Sequence, residues 1–132
     1  MRESAVNDVS ARTVLVVEDD PLVLISAVAM IEDAGYEVLE ASNADEAIAL
    51  LEAHPQIRVV FTDIEMPGSM DGLKLAAYVR DRWPPVSIIV TSGRILPGEG
   101  LLPTDGVFLA KPYRSEDLAS HLSAFLPAMK AP

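Results

Sequence analysis

The chain has 132 residues, half of them hydrophobic, no cysteine and a formal net charge of −10. That length builds one domain with a core and not two, and the lack of cysteine excludes disulfides, thiolate chemistry and cysteine-ligated zinc. The negative charge repels nucleic acid and anionic membranes, so neither is an expected partner.

No apolar run reaches the roughly 18 residues of a membrane span. Met1-Arg2-Glu3-Ser4 is not followed by the apolar stretch of a secretory signal, so a cytoplasmic protein is expected. Residues 1–12 are polar and without period and read as a flexible lead. Thr13-Val14-Leu15-Val16-Val17 is a first apolar strand running into Glu18, Asp19 and Asp20. Pro21 suits a first helical turn. Leu22, Ile25, Val28, Ala29 and Ile31 then recur roughly on one helical face, and Gly35 stops the helix.

Residues 37–41 read as a short second strand. Asn43 and Glu46 have the spacing of a capping box that opens a helix to about Ala53, before Pro55. A third strand, Val59-Val60-Phe61-Thr62, runs into Asp63 and the loop 64–70. Residues 71–83 read as a helix closed by Pro84-Pro85. Val86-Ser87-Ile88-Ile89-Val90 then leads to Thr91 and Ser92. Between Gly93 and Gly106 stand Pro97, Gly98, Gly100 and Pro103, four breakers in seven residues. They forbid a regular helix, so the fourth helix of a repeating pattern is short or missing. Val107-Phe108-Leu109-Ala110 is the fifth strand and leads to Lys111-Pro112. Ser115 is positioned to cap a last helix to Leu126, and Pro127 ends it. Alternating strand and helix patterns predict an α/β domain with a parallel sheet.

In such a sheet ligands bind outside the carboxyl ends of the strands. Neighbouring strands would therefore bring Glu18, Asp19, Asp63, Thr91 and Lys111 into one crevice. Carboxylates held together must protonate or bind a cation, and Mg²⁺ with oxygen ligands answers that need. Asp19 and Asp63 are the expected direct ligands. Glu18 can hold a metal-bound water, and the Glu65 backbone carbonyl can complete the shell. A carboxylate beside Mg²⁺ can also act as a nucleophile towards phosphorus, with a hydroxyl and an ammonium binding the remaining phosphoryl oxygens. Asp63 stands alone at the end of the central apolar strand and is the expected nucleophile; Thr91 and Lys111 supply the hydroxyl and the ammonium.

The motifs Val14-Leu15-Val16-Val17-Glu18-Asp19-Asp20, Thr62-Asp63-Ile64-Glu65-Met66-Pro67, Met70-Asp71-Gly72, Val90-Thr91-Ser92 and Lys111-Pro112 resemble the receiver domain of two-component response regulators. Each alone is weak; five in order, each after its strand, are specific. The resemblance covers about residues 13–126. It implies a flavodoxin-like, doubly wound (βα)5 sandwich with strand order 2-1-3-4-5. It implies transfer of a phosphoryl group to Asp63 from a histidine kinase or histidine phosphotransfer protein, with Mg²⁺ held by Asp19, Asp63 and the Glu65 carbonyl. It further implies a cis Lys111-Pro112 peptide, an inward turn of Thr91 followed by Phe108, and a two-state surface read by a downstream protein partner. The domain is expected over 13–127. Residues 128–132 form a short tail with no output domain, so the resemblance is to a stand-alone receiver and not to a turnover enzyme.

The loop after strand three is one residue longer than the family's usual pattern, and the broken fourth helix puts the usual dimer face in doubt. Taken singly, Glu18-Asp19-Asp20 is an ordinary helix cap, Thr91 a strand residue and Lys111 a solvated charge. Asp71-Gly72 reads as a helix start, Phe108 as core, His54 and His121 as surface, and Trp83 as packing at a helix end. Arg94 is a candidate contact to the phosphoryl group or a partner. Three other functions compete. An aspartate-nucleophile phosphohydrolase of the haloacid-dehalogenase type needs a second Asp and a Thr where Glu65 and Pro67 stand. A receiver-shaped module that is never phosphorylated has no need of all four of Asp19, Asp63, Thr91 and Lys111. A flavodoxin-like nucleotide binder would need a glycine-rich loop after the first strand.

Overall fold

Every residue of β1 (Thr13–Val17) is at most 1% exposed. A strand that buries both faces belongs inside a sheet covered by helices on both sides, which is why its sequence is continuously apolar. The computed structural model describes residues 12–93, 102 and 106–126. In it β1 lies between β2 (Glu37–Ala41) and β3 (Ile57–Asp63), followed by β4 (Ser87–Ser92) and β5 (Val107–Ala110). All pairings are parallel and the order is β2-β1-β3-β4-β5, as expected.

Alternation along the strands splits the core in two. Val14, Val16, Phe61 and Ile89 face α1 (Pro21–Asp33) and α4 (Ser115–Phe125), meeting Ile31, Leu118 and Leu122. Leu15, Val17, Val60 and Val90 face α2 (Ala44–Ala53) and α3 (Gly72–Arg82), meeting Leu51, Leu75 and Val79. Each fully buried side chain of this size contributes about 1.5–3 kcal/mol. Among the described residues there are four helices, none long and apolar enough to cross a membrane. The irregular connection expected between β4 and β5 lies outside the described residues apart from Gly93, Leu102 and Gly106. Arg94, residues 1–11 and residues 127–132 lie outside them too.

The helix ends refine the sequence reading. Pro21 opens α1, and Gly35, at a φ of 100°, follows its end. The buried stripe of α1 is Ala27, Val28 and Ile31, with Leu24 packed alongside. Leu22 and Ile25, expected on that stripe, are 78% and 65% exposed. At 100° per residue they fall on roughly the opposite face, which also carries the exposed Ser26 and Ala29. Asn43 caps α2 through the Glu46 N–H, at 2.9 Å. Glu46 reaches back to the Ser42 N–H (2.8 Å) and hydroxyl (2.9 Å), one residue beyond the expected partner. In α4 the N-cap is Arg114, without a side-chain cap, and Ser115 is the first helical residue. Phe108 is half-buried against the α2–α3 side of the core, not fully enclosed. His54 and His121 are half-buried, and Trp83 packs edge-on to Tyr78 as α3 ends.

At the amino edge of the sheet three segments are tied together. The Arg12 guanidinium lies 4.8 Å from the centre of the Tyr36 ring and donates to the Gly35 carbonyl at 3.0 Å. The Tyr36 hydroxyl donates to the Leu126 carbonyl at 3.1 Å.

Candidate functional site

At the carboxyl edge the hydrogen-bond ladder continues past the strands. The Glu18 N–H donates to the Ala41 carbonyl at 3.0 Å, the Ile64 N–H to the Thr91 carbonyl at 2.9 Å and the Lys111 N–H to the Ser92 carbonyl at 2.9 Å. Asp63 pairs with Thr91 in the β3–β4 register, and Thr91 with Leu109 in the next. The backbones that carry the polar strand ends are therefore fixed by their neighbours.

The acidic triplet divides its labour. Asp20 is the N-cap of α1, its carboxylate accepting from the Leu22 N–H at 2.9 Å and the Val23 N–H at 3.3 Å. Glu18 is buried and Asp19 exposed. Carboxylate oxygens of Glu18, Asp19 and Asp63 all lie within 4.8 Å of one another. The Lys111 ammonium sits 3.3 Å from Glu18 Oε1 and 3.2 Å from Asp63 Oδ1.

Asp63 is only 4% exposed. Its Oδ1 is shut off from solvent and meets the Lys111 ammonium at 3.2 Å, outside good hydrogen-bond angles. Burial, and then the charge of Glu18, pushes the Asp63 carboxyl up to about 6 against the opposing pull of Lys111. Burial by itself would lower the Lys111 ammonium, but the charges of Asp63 and Glu18 outweigh it and the net shift is upward. Three ionised carboxylates against one ammonium leave two negative charges, the complement of a divalent cation. An enclosed carboxylate oxygen among other carboxylate oxygens fits a hard cation such as Mg²⁺.

The Thr91 hydroxyl donates to the Leu109 carbonyl at 2.6 Å, so it is held by β5. Next along β4 the Ser92 hydroxyl donates to Glu65 Oε2. Beside Lys111 opens a mostly apolar groove of about 660 Å³, lined by Leu22, Val23, Met30 and Tyr113 among others. The Lys111-Pro112 peptide at its rim is cis, as expected.

The sequence profile of the response regulator receiver domain matches residues 14–123. The chain belongs to the response regulator receiver family. This receiver is 41% identical over 116 residues to the positive alginate biosynthesis regulatory protein of Pseudomonas aeruginosa, a match covering 83% of this chain and 45% of that protein. It is 32% identical over 128 residues to the sensor kinase CckA of Brucella abortus, covering 94% of this chain and 13% of the kinase. It thus spans less than half the length of either relative. Among solved structures it resembles a response regulator receiver protein from Sinorhizobium medicae, with a TM-score of 0.79, 29% identity and coverage of 88% and 94% of the two chains. It also resembles the response regulator TrrA of Thermotoga maritima, with a TM-score of 0.75, 25% identity and coverage of 87% and 99%. TrrA was solved in complex with Mg²⁺ and BeF.

The receiver brings together the expected Glu18, Asp19, Asp63 and Lys111. Two parts of the site were not legible beforehand. Gly72, read as a helix start, also lies against the Asp63 backbone: a Cβ there would fall 1.9 Å from the Asp63 carbonyl oxygen. The Glu65 side chain, as opposed to its backbone, takes part through Ser92. Its spacing from Asp63 was the available signal; its partner on β4 becomes visible only with the strand order.

Proposed function

We propose that this receiver, over residues 13–127, accepts a phosphoryl group on Asp63 from the histidine of a kinase or phosphotransfer protein and signals to a downstream protein partner. An Asp63 oxygen attacks phosphorus, the bond from phosphorus to the donor imidazole breaks, and its electron pair stays on the ring nitrogen. The observation that carries this reading is the enclosed Asp63 Oδ1, free of well-angled hydrogen bonds and facing Lys111. A carboxylate kept from water is a better nucleophile than a hydrated one, and the ammonium beside it can bind the incoming phosphoryl oxygens.

Asp19 and Asp63, with the Glu65 carbonyl, are the proposed holders of Mg²⁺, and Glu18 of a metal-bound water. When bound, the cation supplies countercharge to the phosphoryl oxygens. Lys111 supplies it from β5, moving from its present carboxylate partners to the new dianion. Thr91 leaves the Leu109 carbonyl to donate to a phosphoryl oxygen, and Phe108, next to Leu109 on β5, follows. That exchange is the proposed switch. The apolar groove beside Lys111, lined in part by exposed Leu22, with exposed Ile25 one turn on along α1, suits docking of a helical donor.

Intact mass, with and without acetyl phosphate and Mg²⁺, tests the proposal. Wild type should gain about 80 Da, one phosphoryl group, and Asp63→Asn nothing. Full labelling of Asp63→Asn would assign the nucleophile elsewhere.

A further inference from the structure

At the amino edge of the sheet, opposite the acidic pocket, the pairing of β1 with β3 breaks register. Thr13 pairs with Ile57 and Val14 with Val59, so Arg58 is an extra residue, a bulge in the central strand. Bulges re-aim a side chain. Ile57 and Val60 face one helical layer and Val59 and Phe61 the other, which leaves Arg58 out of both. It is exposed, and its Nη1 donates to the Pro55 carbonyl at 3.0 Å. That bond holds the guanidinium at a groove of about 260 Å³ between the ends of α2 and α3. Leu51, Ile57 and Val86 give the groove a buried floor, and Trp83 and Pro85 line it too.

The Trp83 ring lies 5.1 Å from the Arg82 guanidinium, which pairs with Glu52 at 3.5 Å. Arg82 and Glu52 thus answer each other, and Arg80 and Arg82 also suit the carboxyl end of the α3 dipole. Arg58 has neither account. It lies on a strand, and no carboxylate among the described residues pairs with it. Its bonds to the described residues all use Nη1, and the remaining donors are part of the planar fork that fits a carboxylate. Arginine and tryptophan are also the residue types that carry most energy at protein interfaces. The chain as a whole carries −10, but that field is screened within about 8 Å at physiological salt, so the local cation decides.

We infer that this groove docks an acidic segment of a partner protein. One bulky apolar side chain of the segment enters beside Trp83, and a neighbouring carboxylate pairs with Arg58. Three observations choose this occupant. The volume is below the roughly 300–1,000 Å³ of small-molecule sites and suits a side chain or two. A second copy meeting through the same face would set Arg58 against Arg58, which repels. Nucleic acid is repelled by the net charge. The groove lies at the start of β3 and Asp63 at its end, about 20 Å along a strand of seven residues. Docking there leaves the acidic pocket open, so the inference goes beyond phosphoryl acceptance and does not rest on it.

Capped synthetic peptides test it, each with a central leucine or phenylalanine flanked by glutamates and none with tryptophan. Calorimetry at about 0.15 M salt reads affinity. The emission of Trp83 reads location, because the chain has one tryptophan. At least one acidic peptide should bind saturably and shift the emission. Glutamine in place of its glutamates should weaken binding about tenfold, and so should alanine in place of its apolar residue. Arg58→Ala should do the same, with folding checked by melting. Arg58→Gln keeps a side-chain donor without the charge and carries the comparison should the alanine variant melt early. Arg114→Ala removes an equal charge at the start of α4, near the carboxyl edge, and should bind like wild type. No binding by any acidic peptide would overturn the inference, as would heat without a change in emission, which places the peptide elsewhere. Undiminished binding of the glutamine peptides would overturn it, and so would equal losses in Arg58→Ala and Arg114→Ala, which reduce the effect to net charge. Sedimentation of the receiver alone completes the test: a dimer lost in Arg58→Ala would give the groove to a second copy and overturn the partner.

Discussion

The first turn of α3 rests directly on the backbone of Asp63, so closely that a Cβ on Gly72 would come within 1.9 Å of the Asp63 carbonyl oxygen. The Gly72 N–H donates to the Ile64 carbonyl at 2.9 Å, which locks the helix start to the strand end. Glycine to alanine in a helix ordinarily stabilises by up to about 1 kcal/mol. Here the sign should reverse. Gly72→Ala must move α3 or the end of β3, at a cost of about 1–3 kcal/mol, and Asp63 moves with them. Urea unfolding should show a lower midpoint at unchanged slope, and phosphoryl loading should slow. A variant as stable as wild type would mean that the backbone yields freely there.

Stability should depend on pH through Asp63. Its carboxyl is pushed up to about 6 in the folded chain, against an ordinary value near 3.9 in the unfolded one. The folded state therefore binds the proton more tightly. The stability this contributes is fully present below about pH 4 and is lost as pH rises through about 6. Asp63→Asn carries no charge to bury and should melt above wild type at pH 7.5, in the presence of a chelator. The gap should close towards pH 4. Mg²⁺ at pH 7.5 should raise wild type and leave the variant nearly unmoved, because binding to the folded state stabilises it. A gap independent of pH would show that Asp63 is not the titrating group.

Lys111 is the ammonium shared by Glu18 and Asp63, so Lys111→Ala leaves both carboxylates without it. The lysine is partly exposed, which discounts the loss to about 1–2 kcal/mol at neutral pH. The loss should shrink as Asp63 protonates below about pH 6. Phosphoryl uptake from acetyl phosphate should fall by about tenfold or more, since a countercharge to the phosphoryl oxygens is gone. Unchanged uptake kinetics would remove Lys111 from the reaction.

Leu22, which lines the apolar groove, and Ile25, one turn on, are exposed on α1. Replacing both with glutamate should change stability by no more than about 0.5 kcal/mol per site. Loading from acetyl phosphate should be normal. Transfer from a phosphorylated histidine kinase or phosphotransfer protein should be lost, because the proposed docking face has become charged. Retained transfer would direct the search for the donor surface elsewhere.

The strand ends were readable because a parallel sheet imposes one rule on all of them: the residue after each apolar run arrives at the same edge. Glu18, Asp63, Thr91 and Lys111 could be placed without knowing any side-chain contact. The face of α1 was less readable. Leu22, Ile25, Ala27, Val28 and Ile31 are apolar around more than half the helix, so periodicity alone did not separate the buried stripe from the exposed one. The capping of α4 was misread because Ser115 is a good cap and Arg114 is not; the chain enters the helix one residue earlier and leaves that end without a side-chain bond. The Glu65–Ser92 bond joins residues 27 apart, and no local pattern encodes a contact that depends on which strands are neighbours.

The tie at Tyr36 gathers Arg12, where the described domain begins, and Leu126, where it ends, at one edge of the sheet. Asp63 stands at the other. A strand of five residues spans about 17 Å, so this length of close-packed sheet separates the acidic pocket from both ends of the described chain. The described chain thus enters and leaves on the side remote from Asp63. A change at the acidic pocket reaches that edge through the side-chain packing of the sheet and its two helical layers. The acidic pocket and the two ends of the described chain are thus kept a sheet's length apart.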